Sequence, residues 1–437
     1  MTQARRTGAG AGTTFRLLMY ALILASAAGQ FALVPVMPVY AHRLGLDGVQ
    51  EGMVLGATGL ATLALAVPAG TLSDRFGARR ITLAAGLLMA AATFAQALAG
   101  NFPALLAARL AFGAGYGVVW TAGLCWLAGS AGGLSALGAS VASAGVGGVA
   151  GPAASGALTE RLGLAIPLLA GAAGFAVITA ALAALRVPPG PVAVHPAAAG
   201  RLRGAVRDRG VIGAAAAVVT AGLSTGACAL LVPAQLHAAG ASSGQIGLAF
   251  AAAGILFAAG SALTAAAGRR AVNVPVTCAG MLAVTAALGI GLLSTAPPAV
   301  LVMLCATTAA RSVLWTVSYP LAAAAAERRG IGLGTAVGLL NGTWAATAVL
   351  GPLAAGLAAD NLGAPAAYGL TAAACAAAVS VTALAAWRTR APARAWLGSD
   401  TPVRSVSSRF SERALMRAPH NSGAAVPGFA AEEMTDG

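Results

Sequence analysis

The chain has 437 residues, of which 58% are hydrophobic and only 9% charged, and its mean hydropathy is +0.83. Soluble domains carry about 25% charged residues, so this chain cannot cover itself with polar surface and needs lipid as its solvent. All 26 basic residues are Arg, which excludes a G-x-x-x-x-G-K-[ST] phosphate loop and with it an ATP-driven pump in this chain. The five cysteines (Cys125, Cys228, Cys278, Cys305, Cys375) stand singly in apolar segments, so neither a disulfide frame nor a zinc site is expected, and no metal or other cofactor is called for.

Crossing about 30 Å of hydrocarbon takes about 20 apolar residues. In chain order the first six spans are expected near 15–40, 50–72, 79–99, 103–127, 135–158 and 164–186. The second six are expected near 211–235, 244–267, 274–294, 298–326, 331–357 and 364–387. The first apolar run is too long for a signal-peptide core and reads as a span. An all-α membrane protein follows, in five parts: a short N-terminal segment 1–14, a six-helix bundle 15–186, a Pro- then Arg-rich linker 187–210, a second bundle 211–390, and a polar tail 391–437 expected to be disordered.

Arginine placement orients the expected topology. With both termini inside, cytoplasmic segments hold 22 Arg and outer loops hold two, Arg43 and Arg161. The same asymmetry accounts for the net charge of +14 through topology and anionic lipid headgroups, not through nucleic acid. The expected location is the plasma membrane, with many passes and cytoplasmic termini.

The halves repeat. GPAASGALTERLG at 151–163 matches GPLAAGLAADNLG at 351–363, and PVYAHRLGLDGVQ at 38–50 shares Pro, His, Gly and Gln with PAQLHAAGASSGQ at 233–245. Six helices per unit put both units in the same orientation, with a site expected between them at the membrane midplane.

Between the second and third spans lie Gly70, Asp74, Arg75, Gly77, Arg79 and Arg80. With the twelve spans, the repeat and the linker, they resemble the major facilitator superfamily, whose signature here is G-x-x-x-D-R-x-G-R-R; Ala78 is the departure. The resemblance implies a conformational switch, in which an acid and a basic cluster latch the cytoplasmic face in the outward-open state. The plainer reading is a topology anchor. The fifth span carries Gly138, Gly147, Gly151, Pro152 and Gly156. They resemble the G-x8-G-x3-G-P-x2-G signature of the twelve-helix drug:proton antiporter branch, with Ser155 in place of the last glycine. Close packing through missing side chains is the alternative.

Arg109, with Gly113 and Gly115, is similar to the fourth-helix pattern R-x-x-Q-G-x-G of those antiporters, and the resemblance links it to proton transfer; snorkelling to the interface is the other reading. Arg311 occupies roughly the equivalent place in the tenth span, for an anionic substrate group or for a structural bond. No span holds a central carboxylate, and the nearest polar group of the first span is Gln30, which does not titrate. His42, His237, Asp47 and Glu51 are then the coupling candidates near the outer face. Tyr116, Trp120, Trp315, Tyr319, Asn341 and Trp344 are candidates to line a cavity.

Together these imply a secondary transporter, acting as a monomer, that exports a small amphiphilic drug or metabolite in exchange for protons: an efflux antiporter of the multidrug-resistance kind. The alternative is an organic-anion importer or exchanger using Arg109 and Arg311. No nucleophile–base constellation points to an enzyme, and no catalytic residue is assigned.

Overall fold

The computed structural model describes residues 2–128, 133–185, 208–329 and 333–387; the side chains of residues 2–11, 66–67, 74, 133–135, 137–138, 329, 333–335, 337 and 386–387 lie outside that description. The expected tail at 391–437, and the linker up to residue 207, lie outside the described residues.

Among the described residues every regular element is a helix. The first half holds α1 (Thr2–Ala32), α2 (Met37–Leu44), α3 (Gly48–Phe76), α4 (Ala78–Leu98), α5 (Phe102–Val118), a π-helical turn (Val119–Gly123), α6 (Leu124–Ala128), α7 (Gly133–Leu162) and α8 (Ile166–Ala184). The second holds α9 (Arg209–Ala238), α10 (Ser243–Ala266), a short 3-10 turn (Gly268–Arg270), α11 (Val274–Leu293), α12 (Pro297–Arg329), α13 (Leu333–Leu362) and α14 (Ala364–Trp387). Eleven helices among the described residues are long and apolar enough to cross a membrane; α3 takes the place of the remaining expected span by position and length.

Local chemistry starts these helices. Asp47 accepts from the Gln50 N–H while Gln50 returns a bond to the Asp47 N–H, a capping box opening α3. Ser242 and Gln245 build the same box at the start of α10, 195 positions later. Asn101, Asp208 and Asn273 cap α5, α9 and α11. Asp208 therefore ends the expected linker two residues early, because Arg209 and Gly210 already belong to α9.

Two spans depart from single straight helices. The expected first span, 15–40, is broken: α1 ends at Ala32, residues 33–36 form turns, and α2 begins at Met37. Pro35 is the cause, since it has no N–H for the carbonyl four residues back and its ring crowds that turn. The repeat partner of Pro35 is Leu230, and α9 runs unbroken. The fourth span continues through the π-turn at 119–123 before α6, so one residue is inserted in its hydrogen-bond ladder.

Each half packs on itself, with α1 against α7 and α8 and α4 against α5 and α8, and likewise α9 against α12, α13 and α14. Two seams join the halves, α3 on α13 and α7 on α10. The helix surfaces left over are apolar, with Leu263 73% and Leu293 86% exposed, as a lipid-facing exterior requires.

Candidate functional site

Arg109 is 1% exposed and reaches from α5 to the broken end of α1. Its two terminal nitrogens donate to the main-chain oxygens of Gly29 at 3.2 Å and Gln30 at 2.6 Å. Those are among the last four carbonyls of α1, which have no intrahelical donor. The Gln30 side-chain oxygen lies 3.4 Å from the same guanidinium, so the two predicted residues do meet. Arg109 is thus a buried cap of α1 and not a snorkelling side chain. Its Nε is left without a hydrogen-bond partner among the described residues.

From Arg109 an aromatic ladder runs along the fourth span. The guanidinium sits 5.0 Å from the Phe112 ring centre, Phe112 is 6.4 Å from Tyr116, and Tyr116 is 5.9 Å from Trp120. Trp120 lies in the π-turn, with its indole N–H buried and without a hydrogen-bond partner among the described residues.

The second half carries a counterpart on α12. Trp315 and Tyr319 stack with ring centres 6.2 Å apart, and the Tyr319 hydroxyl is 2.7 Å from the side-chain oxygen of Asn341 on α13. Trp344 and Tyr319 both pack, partly buried, against the same apolar cluster. Arg311 precedes Trp315 by four residues on the same helix, yet its bond differs from that of Arg109: it donates to the Thr308 hydroxyl at 3.0 Å, on its own helix. The Cys228 thiol of α9 lies within electrostatic reach. The unbroken α9 offers Arg311 no orphan carbonyls to cap. No described hydrogen bond links Arg109 to Arg311.

In the segment between α3 and α4, Gly77 holds φ +87°, a left-handed value that favours glycine, and joins the two helices directly. Arg79 donates to the carbonyls of Ala183 at 2.7 Å and Leu185 at 3.1 Å, closing the C-terminus of α8. Arg75 lies over Phe76, and Arg80 is exposed. Gly70 has open space around it. Among the described residues the bonds of this segment run within the first half; the side chain of Asp74 lies outside them.

The glycines of α7 make close helix contacts. A Cβ at Gly147 would overlap the Leu24 carbonyl of α1, and one at Gly151 the Ala28 carbonyl. One at Gly156 would overlap the Ser243 carbonyl of α10, and Gly247 of α10 in turn abuts Pro152. Gly138 lies outside the residues whose surroundings are described. On the other seam Gly356 meets Gly48 and Gly52 meets Pro352.

Both seams end in a carboxylate. Asp360, in the last turn of α13, accepts from the N–H groups of Gly48 at 3.0 Å and Val49 at 2.9 Å, in the first turn of α3. Glu160, in the last turn of α7, accepts from the Ser242 hydroxyl at 3.0 Å, at the head of α10. Neither acid is a candidate by sequence, although the 151–163 and 351–363 repeat carries an acid at the same position in each copy. Of the coupling candidates, Asp47 is the cap of α3, His42 and His237 are exposed, and Glu51 lies within electrostatic reach of Asp47 and Asp360.

The sequence profile described as "Major Facilitator Superfamily" matches residues 19–234. Two solved structures share the arrangement. A bacterial homolog of the human lysosomal transporter Spinster, described as inward-facing and occupied, superposes with a TM-score of 0.70 at 16% identity, over 85% of this chain and 96% of that one. The nucleoside transporter NupG superposes with a TM-score of 0.68 at 12% identity, over 85% and 98%. The chain belongs to the major facilitator superfamily.

Curated relatives match this facilitator over shorter stretches. "Uncharacterized MFS-type transporter YuxJ" of Bacillus subtilis (strain 168) is 39% identical over 105 residues, and "Quinolone resistance protein NorA" of Staphylococcus aureus is 33% identical over 86. The matched stretch is 26% of the length of the first and 22% of the second, so the chain spans about a quarter of the curated relatives it matches. A facilitator with this many apolar helices is a multi-pass membrane protein.

Proposed function

We propose that this facilitator is a secondary active transporter that exports a small amphiphilic organic molecule by alternating access, driven by the proton gradient. The arginine-bearing end, with Arg75, Arg79, Arg80, Arg269 and Arg270, is cytoplasmic by the positive-inside rule, and the end bearing Asp47, Glu160 and Asp360 is outside. One observation carries the reading. The acid-bearing end is sealed along two related seams, while each half carries aromatic rings in series on one helix, after Arg109 in the first half and after the half-buried Arg311 in the second, running toward the arginine-bearing end. That is how a carrier is built in the state whose binding surface faces the cytoplasm.

The α7 glycine pattern and the stretch similar to NorA support export. The lack of a carboxylate inside the spans favours neutral or anionic substrates over cations. Arg311, half-buried and with a single described hydrogen bond, is the cation available to an anionic group on the substrate, with Trp315, Tyr319, Asn341 and Trp344 along the same wall. Import or exchange of organic anions is the second reading, and Arg311 is the observation that favours it. The bonds of Arg109 to the α1 carbonyls count against the expected arginine pair.

The test is accumulation of antibiotics and dyes in an efflux-deficient bacterial host expressing the chain, with and without a protonophore. Accumulation of a neutral or anionic compound falls several-fold and recovers when the protonophore is added. Arg311→Ala weakens apparent affinity for an anionic substrate about tenfold and leaves a neutral one unaffected, as loss of one charge-assisted contact requires. Raised accumulation of anions moves the assignment to import, and unchanged accumulation of all compounds rejects a broad exporter.

A further inference from the structure

We propose that Asp360 and Glu160 are gate-positioning residues: each locks the acid-bearing end by docking its carboxylate on the head of a helix from the opposite half, in space kept clear by Gly48 and Gly244. The proposal rests on the alternating-access reading and names what holds this end closed.

The two locks are related by the internal repeat. Asp360 and Glu160 are 200 positions apart, and the helices whose heads they meet start at Gly48 and Ser243, 195 apart. In each case a Cβ on the first-turn glycine would fall on the carboxylate, Asp360 at Gly48 and Glu160 at Gly244. The space is therefore matched to the acid on both seams.

Below the locks the seams are smooth. Gly356 lies on Gly48, Gly52 on Pro352, and Gly59 on Ala348; on the other seam Gly156 lies on Ser243, Gly247 on Pro152, and Gly254 on Val149. Such faces gain dispersion energy over their area but carry little that fixes register, since few side chains interlock. They part easily once water enters. The carboxylates supply direction: a negative charge at a helix N-terminus meets unsatisfied N–H groups and the positive end of the helix dipole. Both acids are solvent-exposed, so water can take over their hydrogen bonds when the end opens, and the locks can be remade in every cycle.

The locks are unequal. Asp360 takes two main-chain N–H groups directly. Glu160 takes the Ser242 hydroxyl, which itself accepts from Gln245. Asp360 is the stronger of the two.

The test is hydrogen–deuterium exchange on the full chain in lipid nanodiscs, without substrate or gradient, reading peptides over 45–53 and 241–247. Asp360→Asn keeps the shape and removes the charge. It raises exchange at 45–53 about tenfold, the effect of losing a charge-assisted bond worth about 1.4 kcal/mol. Because the halves separate as bodies, exchange also rises several-fold at 241–247, on a seam that carries no substitution. Gly48→Ala gives the same pair of changes without touching the acid, Glu160→Gln gives smaller ones, and the neighbouring Asn361→Ala gives none. A rise confined to 45–53, or no rise, overturns the gate role. If Asp360→Asn exchanges throughout because it misfolds, the milder Glu160→Gln decides: coupled rises support the gate and a local rise rejects it. The readout needs no transported compound, so export and the gate fail or stand separately.

Discussion

Arg109→Ala will destabilise the protein by about 3 kcal/mol and abolish transport, because it strips a charged donor from two part-buried carbonyls at once. The Gly29 and Gln30 oxygens close α1 ahead of the Pro35 break, and Arg109 is their described side-chain partner. Losing a charged donor costs each carbonyl about 1.5 kcal/mol or more where no other donor takes its place. Phe112 loses its cation neighbour as well. Thermal unfolding in detergent should show a lowered Tm, and Arg109→Lys should fall between, since an ammonium carries the charge but not the planar fork. The family resemblance assigns this arginine to proton transfer, and the same measurement separates the two roles. A variant that unfolds at the wild-type Tm yet transports nothing would refute the capping role and leave the proton role standing.

The second large effect is expected at Gly151. A Cβ there meets the carbonyl oxygen, Cα and carbonyl carbon of Ala28, all backbone atoms that cannot swing aside. Gly151→Val must push α7 away from α1, while Gly156 holds the far end of the same helix on α10. Overpacking typically costs about 1–3 kcal/mol, and a β-branched side chain against backbone belongs at or beyond the top of that range. Fluorescence-detected size-exclusion of the tagged protein should show the folded monodisperse peak largely lost. Gly145→Val is the control, on the same helix with nothing within 4 Å of the added Cβ, and it should elute like the unsubstituted protein. Equal behaviour of the two variants would mean that the glycine face is not what seats α7.

Much of the architecture is written in local pattern. Apolar runs of about 20 residues mark the spans, and most helix boundaries fall within a few residues of where hydropathy puts them. The repeat of 151–163 in 351–363 also announces two related halves. What local pattern predicts poorly is where a span departs from regularity. A broken α1 and the π-turn at Val119–Gly123 depend on how neighbouring helices accept the orphaned groups.

The site divides the same way. Sequence alone set out which residues are polar inside apolar spans, and Arg109 and Arg311 stood out because charge in hydrocarbon is costly. By sequence they are a matched pair. The tertiary structure gives them different work, because Pro35 breaks α1 and leaves carbonyls for Arg109, while Leu230 leaves α9 intact and Arg311 with its own Thr308. The acids show the same limit more sharply. Asp360 and Glu160 look like ordinary polar helix ends, and their partners lie 311 and 312 residues away for Asp360 and 82 for Glu160. Composition and periodicity act through each segment's own contact with lipid, so they are legible along the chain. Which helix end meets which is decided only when two halves close on each other, and no local propensity encodes that meeting.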